Sequence, residues 1–402
     1  MLLKIAFRNI FRQKRRTVLT ALTMFGGFTL AAISIGWADG SYNFIIDMFT
    51  RNQLGHIQIH AEGYRDRPSI YKTIDDYKAV GQQLQDIENL ESWTPRVYSA
   101  GLLSAQDKSA GARLIGIDPV RENQTVNFNK KITRGSAFSD SAQQETIIGV
   151  GLAKTLEADV GDSIVFVSQA ADGSIANDIY VIVGVIDAGD NISNRMAFYL
   201  HIDDAQDVLV LNNRIHEIAV VCSSLDVVKD VTQRIKAQLG DNLEVAPWQE
   251  FAKHFYQAMK ADKQGMWIML FVVILIVAVG VLNTVLMSVL ERQEEYGLLK
   301  AVGTRPGNIF TLVLYEVNIL AFFSIIIGIV LSIIANSIIA ERGISLPQAF
   351  TYGGMEFKTM YSEVNFRSLY IPAITVMLAA SLVCIFPALR AARTEPARTM
   401  RL

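Results

Sequence analysis

Val18-Leu-Thr-Ala-Leu-Thr-Met-Phe-Gly-Gly-Phe-Thr-Leu-Ala-Ala-Ile-Ser-Ile-Gly-Trp37 is an uncharged run of 20 residues standing alone near the N-terminus. As a helix rising about 1.5 Å per residue it measures roughly 30 Å, the thickness of a bilayer hydrocarbon core. Three further apolar stretches, Met266–Leu290, Ile309–Ala340 and Tyr370–Phe386, crowd toward the C-terminus, and the 228 residues 38–265 between them read as a water-facing domain. The pattern predicts a membrane protein: four transmembrane α-helices, with a large mixed α/β extracytoplasmic domain inserted between the first and second spans. The third stretch, 32 residues long, would reach about 48 Å as a helix and so must tilt or protrude.

Charge sets the expected orientation, because Lys and Arg accumulate on the cytoplasmic side of spans. Residues 1–17, the loop 291–308 and the tail 387–402 together hold 13 Lys and Arg against 4 acids, whereas 38–265 holds 21 against 31. Both termini and the loop are therefore placed in the cytoplasm, and the domain outside it. The basic residues hug span ends and form no single face, which argues against nucleic acid as a partner. The first run is longer than a signal-peptide core and no A-x-A site follows it, so it reads as a retained anchor. Cys222 and Cys384 fall in different compartments and predict no disulfide.

Within residues 2–12, Leu3, Ala6, Phe7, Ile10 and Phe11 recur at helical spacing beside Lys4, Arg8 and Arg12. An amphipathic helix on the inner leaflet is expected over residues 1–17. In the domain, His56–His60, Val97–Ala105, Arg113–Ile117, Ile164–Ser168, Ile179–Ile186 and Ile215–Val221 read as strands. Ile70–Leu90 and Val227–Leu239 read as helical. Two subdomains are expected, with a middle lobe of about residues 96–200 inserted into the other. Residues 250–265 form a helical stalk running straight into the second span.

Thr146-Ile-Ile-Gly-Val-Gly-Leu-Ala-Lys-Thr155 resembles a phosphate loop only in outline: two residues separate Gly151 from Lys154, where a P-loop needs the Lys directly after Gly. The glycines suit a strand-to-helix turn instead. His56 and His60 lie two pleats apart on a strand, about 13 Å, too far to share a metal. Without a catalytic constellation, the chain reads as a non-enzyme that binds no cofactor or metal itself. The cytoplasmic loop is different. Glu291-Arg-Gln-Glu-Glu-Tyr-Gly-Leu-Leu-Lys-Ala-Val-Gly303 has acids in its first turn, Lys300 in its last and a glycine stop, all matching helix-dipole and capping rules. Leu298, Leu299 and Val302 share one face, and Pro306 opens the next helix. The short helix either caps the bundle at the lipid surface or is a knob gripped by another protein.

These residues carry a resemblance. The segment Phe7-Arg-Asn-Ile-Phe-Arg-Gln-Lys-Arg-Arg-Thr17, the loop and the tail Pro387-Ala-Leu-Arg-Ala-Ala-Arg-Thr-Glu-Pro396 are similar to those of FtsX-like ABC permeases, the group that includes the MacB-type and lipoprotein-release (Lol) permeases. The family pattern R-x-x-E-[IY]-G-[IL]-L-[KR]-A-[IV]-G is matched at Arg292, Glu295, Tyr296, Gly297, Leu298, Leu299, Lys300, Ala301, Val302 and Gly303. Ile147–Asp162 and Val181–Gly189 resemble the family's extracytoplasmic domain.

The resemblance implies a permease subunit of the bacterial inner membrane, paired with a second permease copy or a related permease and with a cytoplasmic ABC ATPase dimer that binds ATP and Mg. Closure of the ATPase is transmitted through the spans to the periplasmic domain, where a lipoprotein, lipid or other hydrophobic cargo is extracted. The alternative is an FtsX-like signalling protein that activates an envelope hydrolase without transport. A periplasmic partner fits either role. One departure stands out: the hairpin turn Ala171-Asp-Gly-Ser174 is short and lacks the proline of the chaperone-binding hook in one Lol subunit.

Polar groups inside spans are costly. Asn283, Glu316, Asn318 and Asn336 are read as helix–helix or dimer contacts, with substrate contact as the lesser option. Gly27, Ala31, Ala32 and Gly36 offer a small-residue face for close packing against another helix, whether of this chain or of a partner.

Overall fold

The structure, a computed structural model, describes residues 2–12, 14–352 and 355–394. In chain order it runs through helices α1 (Leu2–Arg12) and α2 (Lys14–Phe49), strand β1 (Ile57–Ala61), α3 (Tyr77–Gln85), β2 (Leu90–Ala105), β3 (Lys108–Ile117), α4 (Pro119–Val126), β4 (Ile132–Gly135), β5 (Glu145–Gly149), α5 (Val150–Leu156), β6 (Ser163–Gln169) and β7 (Ile175–Ile186). It continues with α6 (Asn191–Met196), β8 (Ala197–His201), α7 (Ile202–Val208), β9 (Glu217–Cys222), α8 (Val228–Leu239), β10 (Leu243–Pro247), α9 (Trp248–Phe251), α10 (Lys253–Glu291), α11 (Gln293–Ala301), α12 (Pro306–Arg342), β11 (Ile344–Tyr352), β12 (Met355–Met360) and α13 (Phe366–Ala392). The chain divides into two compact units, one of Met1–Tyr42, Met259–Leu346 and Thr359–Leu402, the other of Asn43–Ala258 and Pro347–Lys358.

The first unit is a helical bundle. Its α2, α10, α12 and α13 are each long and apolar enough to cross a membrane. They meet around Met24, Phe28, Val281, Val313 and Ala380, all buried, while Leu22, Leu30, Ile276, Val330 and Leu382 face outward. An exterior so apolar suits lipid and would be unfavourable in water. The four helices outrun the apolar stretches that mark them, and α13 continues through Pro372 and Pro387. The helix α2 thus spans 36 residues and ends in a π-helical turn closed at Gly55, whose N–H donates to the Thr50 carbonyl. The amphipathic stripe of α1 splits in two. Ala6 and Ile10 are buried, with Phe7 against Phe323 of α12, whereas Leu3, Phe7 and Phe11 remain exposed.

The second unit carries a ten-stranded sheet ordered β10-β1-β9-β2-β3-β8-β5-β7-β4, with β6 joined to β2 and β7. Its first part, β1-α3-β2 and β9-α8-β10, has the strand order β10-β1-β9-β2 of a split βαβ arrangement. The elements from β3 to α7 intervene between its halves. Strand β2 serves both parts, pairing with β9 as far as Arg96 and with β3 from Arg96 to Ala105. Ile57, Ile59, Leu103, Ile147, Phe166, Phe198 and Ile218 are all buried, and β9 is buried along its whole length.

Two local expectations are corrected. Of Ile70–Leu90 only Tyr77–Gln85 is helical; Ile74 instead bridges Ile215, and Leu90 already belongs to β2. The stalk does not begin at Glu250, because α9 ends at Phe251 and Ala252 leaves helical geometry (φ −103°, ψ 42°) before α10 starts. Between the third and fourth apolar helices, β11 pairs with β12. Elsewhere, His56 and His60 are buried, and both cysteines are buried and unpaired. No metal-holding group occurs among the described residues.

Candidate coupling site

The chain leaves α10 at Glu291, breaks at Arg292 (φ −103°, ψ 16°) and re-forms as α11. Glu294 and Glu295 occupy its first turn and Lys300 its last, the polarity that complements a helix dipole. Its end is a Schellman motif. Gly303, at φ +98°, donates to the Lys300 carbonyl, and the Thr304 N–H donates to that of Leu299, at 3.0 Å each. Only glycine takes that left-handed backbone without strain.

Helix α11 has an anchored face and a free one. Tyr296 is 1% exposed and packs among Val289, Ile309, Val313 and Ala388 of the bundle core, with Gly297 buried beside it. Lys300 Nζ donates to the carbonyls of Ala392 and Thr394, at 3.0 and 2.8 Å, tying the end of α11 to the end of α13. On the free side Leu298 is 61% and Val302 82% exposed, with Leu299 and Ala301 exposed too.

A charged clasp holds the other end. The Arg292 guanidinium donates to both Glu316 carboxylate oxygens, at 3.2 and 3.0 Å, and through Nε to Glu295 at 3.0 Å, and it sits 5.3 Å from the Tyr296 ring. Asn9 of α1 donates to Glu316 at 2.7 Å. Arg12 pairs with Glu295 at 3.0 Å, and Arg16 with Glu291. Glu316 is only 14% exposed, so its charge is supported by these donors rather than by solvent. Five elements, α1, α2, α10, α11 and α12, therefore meet around a cavity of about 50 Å³ whose lining includes Asn9, Arg16, Ser288, Arg292, Tyr296 and Glu316.

The polar residues singled out in the spans do not form one site. Glu316 belongs to this clasp. Asn318 donates to the Leu314 carbonyl and accepts from Ser381 of α13 at 2.7 Å. Asn336 donates to the Ala32 carbonyl and accepts from Ser362, whereas Asn283 is exposed on α10. The small-residue face of α2 is used within the chain. A Cβ on Gly27 would lie 2.1 Å from Val277 Cγ2, one on Gly36 2.5 Å from Asn336 Nδ2, and Ala31 and Ala32 are buried.

Asn9, Arg12, Arg16 and Asp39 were not foreseen as contact residues. Buried Asp39 binds Lys263 at 3.3 Å, Arg367 at 3.6 Å and Asn365 at 3.2 Å, joining α2, α10 and α13. The tail's Glu395, Pro396, Arg398 and Arg401 lie outside the described residues.

Four spanning helices, an α/β domain between the first two, and an anchored short helix with a free apolar face between the second and third define a multi-pass membrane permease. The chain belongs to the FtsX-like, MacB-type family of ABC transporter permeases: residues 17–238 match the MacB-like periplasmic core domain and 267–396 the FtsX-like permease C-terminal region. Over 372 residues it is 23% identical to the lipoprotein-releasing system transmembrane protein LolC of Neisseria meningitidis serogroup B, covering 87% of this chain and 86% of that one. Over 358 residues it is 25% identical to the macrolide export ATP-binding/permease protein MacB of Campylobacter jejuni, covering 82% of this chain and 52% of that protein. The periplasmic region of MacB from Actinobacillus actinomycetemcomitans aligns with a TM-score of 0.38 at 17% identity, covering 50% of this chain and 94% of that chain.

Proposed function

We propose that this permease receives the motion of a separate cytoplasmic ABC ATPase dimer through α11 and passes it to its α/β domain, on the periplasmic side, to extract a lipoprotein or related lipid cargo from the inner membrane. The observation that carries the proposal is the two-sided α11. One face is fixed by Tyr296, Arg292 and Lys300, and the other offers Leu298, Leu299 and Val302. An exposed apolar patch on a rigidly held helix is the form of a knob for a groove. ATP and Mg belong on the partner in this reading, and a second permease, identical or related, completes the complex. The lipoprotein cargo rests on the likeness to LolC, and the basic span flanks support the orientation.

The test is a Leu298→Asp, Val302→Asp double variant in the full chain, purified from its host membranes. Both side chains are exposed, so the fold is expected to persist. Co-purifying ATP hydrolysis should fall about 10-fold or more, the scale of losing a contact of about 1.4 kcal/mol. Undiminished ATPase capture and hydrolysis would sink the proposal. Depletion should leave lipoproteins in the inner membrane; an arrested envelope hydrolase with normal lipoprotein sorting would support the signalling role instead.

A further inference from the structure

Strand β2 has two neighbours on one flank, β9 as far as Arg96 and β6 from Leu102. Residues 97–101 between them have no strand alongside on that flank. Side chains seal the interval. The Tyr98 N–H donates to His216 Nδ1 at 3.0 Å, and Ser168 Oγ donates to the Ala100 carbonyl at 2.6 Å. Along this interval opens a cavity of about 800 Å³, bounded by Tyr64, Ile70, Tyr98, Arg113, Glu217 and Phe251 among others. A recess of about 90 Å³ shares Tyr98 and Arg113 with it and adds Arg96, Glu122 and Lys131.

The charges here are unevenly matched. Glu122 and Glu217 both bind Arg96, at 2.7 and 3.1 Å, and are further satisfied by Thr94 and the Tyr98 hydroxyl. Arg65 is paired with Glu244 at 2.9 Å. Asp66, at the cavity lining, is exposed to solvent. Arg113 is exposed, lines both spaces and has no ion-pair partner among the described residues. Lys131 lines the recess, and burial pulls its ammonium down to about 8 despite Glu122 nearby. Arg113 thus faces a space whose carboxylates are largely spoken for, beside aromatic and aliphatic walls. A space of this size far exceeds a bare inorganic anion and fits a small-molecule ligand.

We infer that this cavity binds an anionic amphiphile, its phosphate or carboxylate seated on Arg113 and its apolar part against Tyr64, Ile70 and Phe251. Guanidinium is the group best suited to a forked oxyanion. The site needs no ATPase, so its failure and that of the coupling proposal are separable.

The experiment is calorimetric titration of the full-length chain in neutral detergent with octyl phosphate and with dihexanoyl phosphatidylglycerol, which present the same head chemistry as a free phosphorylated amphiphile and as a membrane lipid. Saturable binding of either supports the assignment and identifies the source. Arg113→Ala should weaken it about 10-fold or more, and Arg113→Lys should keep part of the affinity. Ala100→Trp, at an exposed position on the lining, should abolish it by filling the space. The assignment is overturned by a lack of saturable binding, by wild-type affinity in Arg113→Ala, or by inorganic phosphate or octyl glucoside binding as tightly.

Discussion

Replacing Glu316 by Gln keeps the shape of the clasp and removes its buried charge. Arg292 would retain Glu295, itself 36% exposed, and the Tyr296 ring. Removing one member of a buried pair costs about 3–5 kcal/mol, and these residual partners bring the expected loss to the low end, about 2–3 kcal/mol. Arg292→Met is harsher, since Glu316 would keep only Asn9 in a site 14% exposed, and about 3–4 kcal/mol is expected. The double variant Arg292→Met, Glu316→Gln leaves no isolated charge and should cost about 2–3 kcal/mol, well short of the sum. The coupling energy is then about 2–5 kcal/mol, in the upper part of the range for contacting pairs or above it. Equilibrium unfolding of the purified chain in mixed dodecyl maltoside and dodecyl sulfate micelles, followed by circular dichroism, measures all four corners of the cycle. Additivity within about 0.5 kcal/mol would refute a direct energetic link between these two residues.

Two further outcomes follow from the geometry. Gly27→Ala drives a Cβ to 2.1 Å from Val277 Cγ2 and should destabilise the bundle by about 1–3 kcal/mol, with Val277→Ala restoring at least half in the same titration; no loss would mean that α2 and α10 separate freely there. His216 is fully buried, takes the Tyr98 N–H at Nδ1 and has Nε2 3.3 Å from the Ile70 carbonyl, so only the neutral ring fits. Burial, with His60 and Arg214 nearby, lowers its pKa from 6.5 to about 4. The unfolded chain therefore takes up the proton first: stability is full above about pH 6.5 and falls by roughly 3 kcal/mol as pH drops through 4. Hydrogen exchange in β2 and β9 should show this between pH 6.5 and 4, and His216→Asn should flatten it; an unchanged profile in that variant would assign the effect elsewhere.

The architecture was legible because its signals are local. Runs of apolar residues mark spans irrespective of tertiary context, and Glu294, Glu295, Lys300 and Gly303 mark both ends of α11 by rules that act within one or two turns. The strands were readable where β-branched residues cluster, as in Ile179–Ile186. Ile70–Leu90 misled because its polar and apolar residues alternate loosely enough to satisfy a helical period, whereas Ile74 is claimed by a partner far along the chain. The clasp was legible in Arg292, Glu295 and Glu316 taken singly but not in their pairing. Asn9 and Glu316 are separated by 307 residues, and Arg12 and Arg16 look in sequence like an ordinary basic flank. The fate of the small face of α2 likewise depends on which helix arrives opposite Gly27, and no spacing rule supplies Val277. Arg113 gave no signal because what distinguishes it is the lack of an ion-pair partner among the described residues, which only the three-dimensional structure shows.

The placement of the clasp also bears on how force would travel. If α11 were joined to the bundle only through α10, a push on Leu298 and Val302 could be absorbed by bending at Arg292, where the helix is already broken. It is instead tied through Arg292 to Glu316 of α12, through Glu295 to Arg12 of α1, and through Lys300 to the end of α13. Glu291, on the α10 side of the break, is held by Arg16 of α2. Under the coupling proposal a displacement of α11 therefore loads all four spanning helices together, and weakening the clasp should lower the work delivered per ATP more than it lowers ATPase binding. The Glu316→Gln variant distinguishes these: it should capture the ATPase normally through the intact Leu298 face yet fail to release cargo at the normal rate. Loss of capture and release in equal measure would mean that the clasp only shapes the knob.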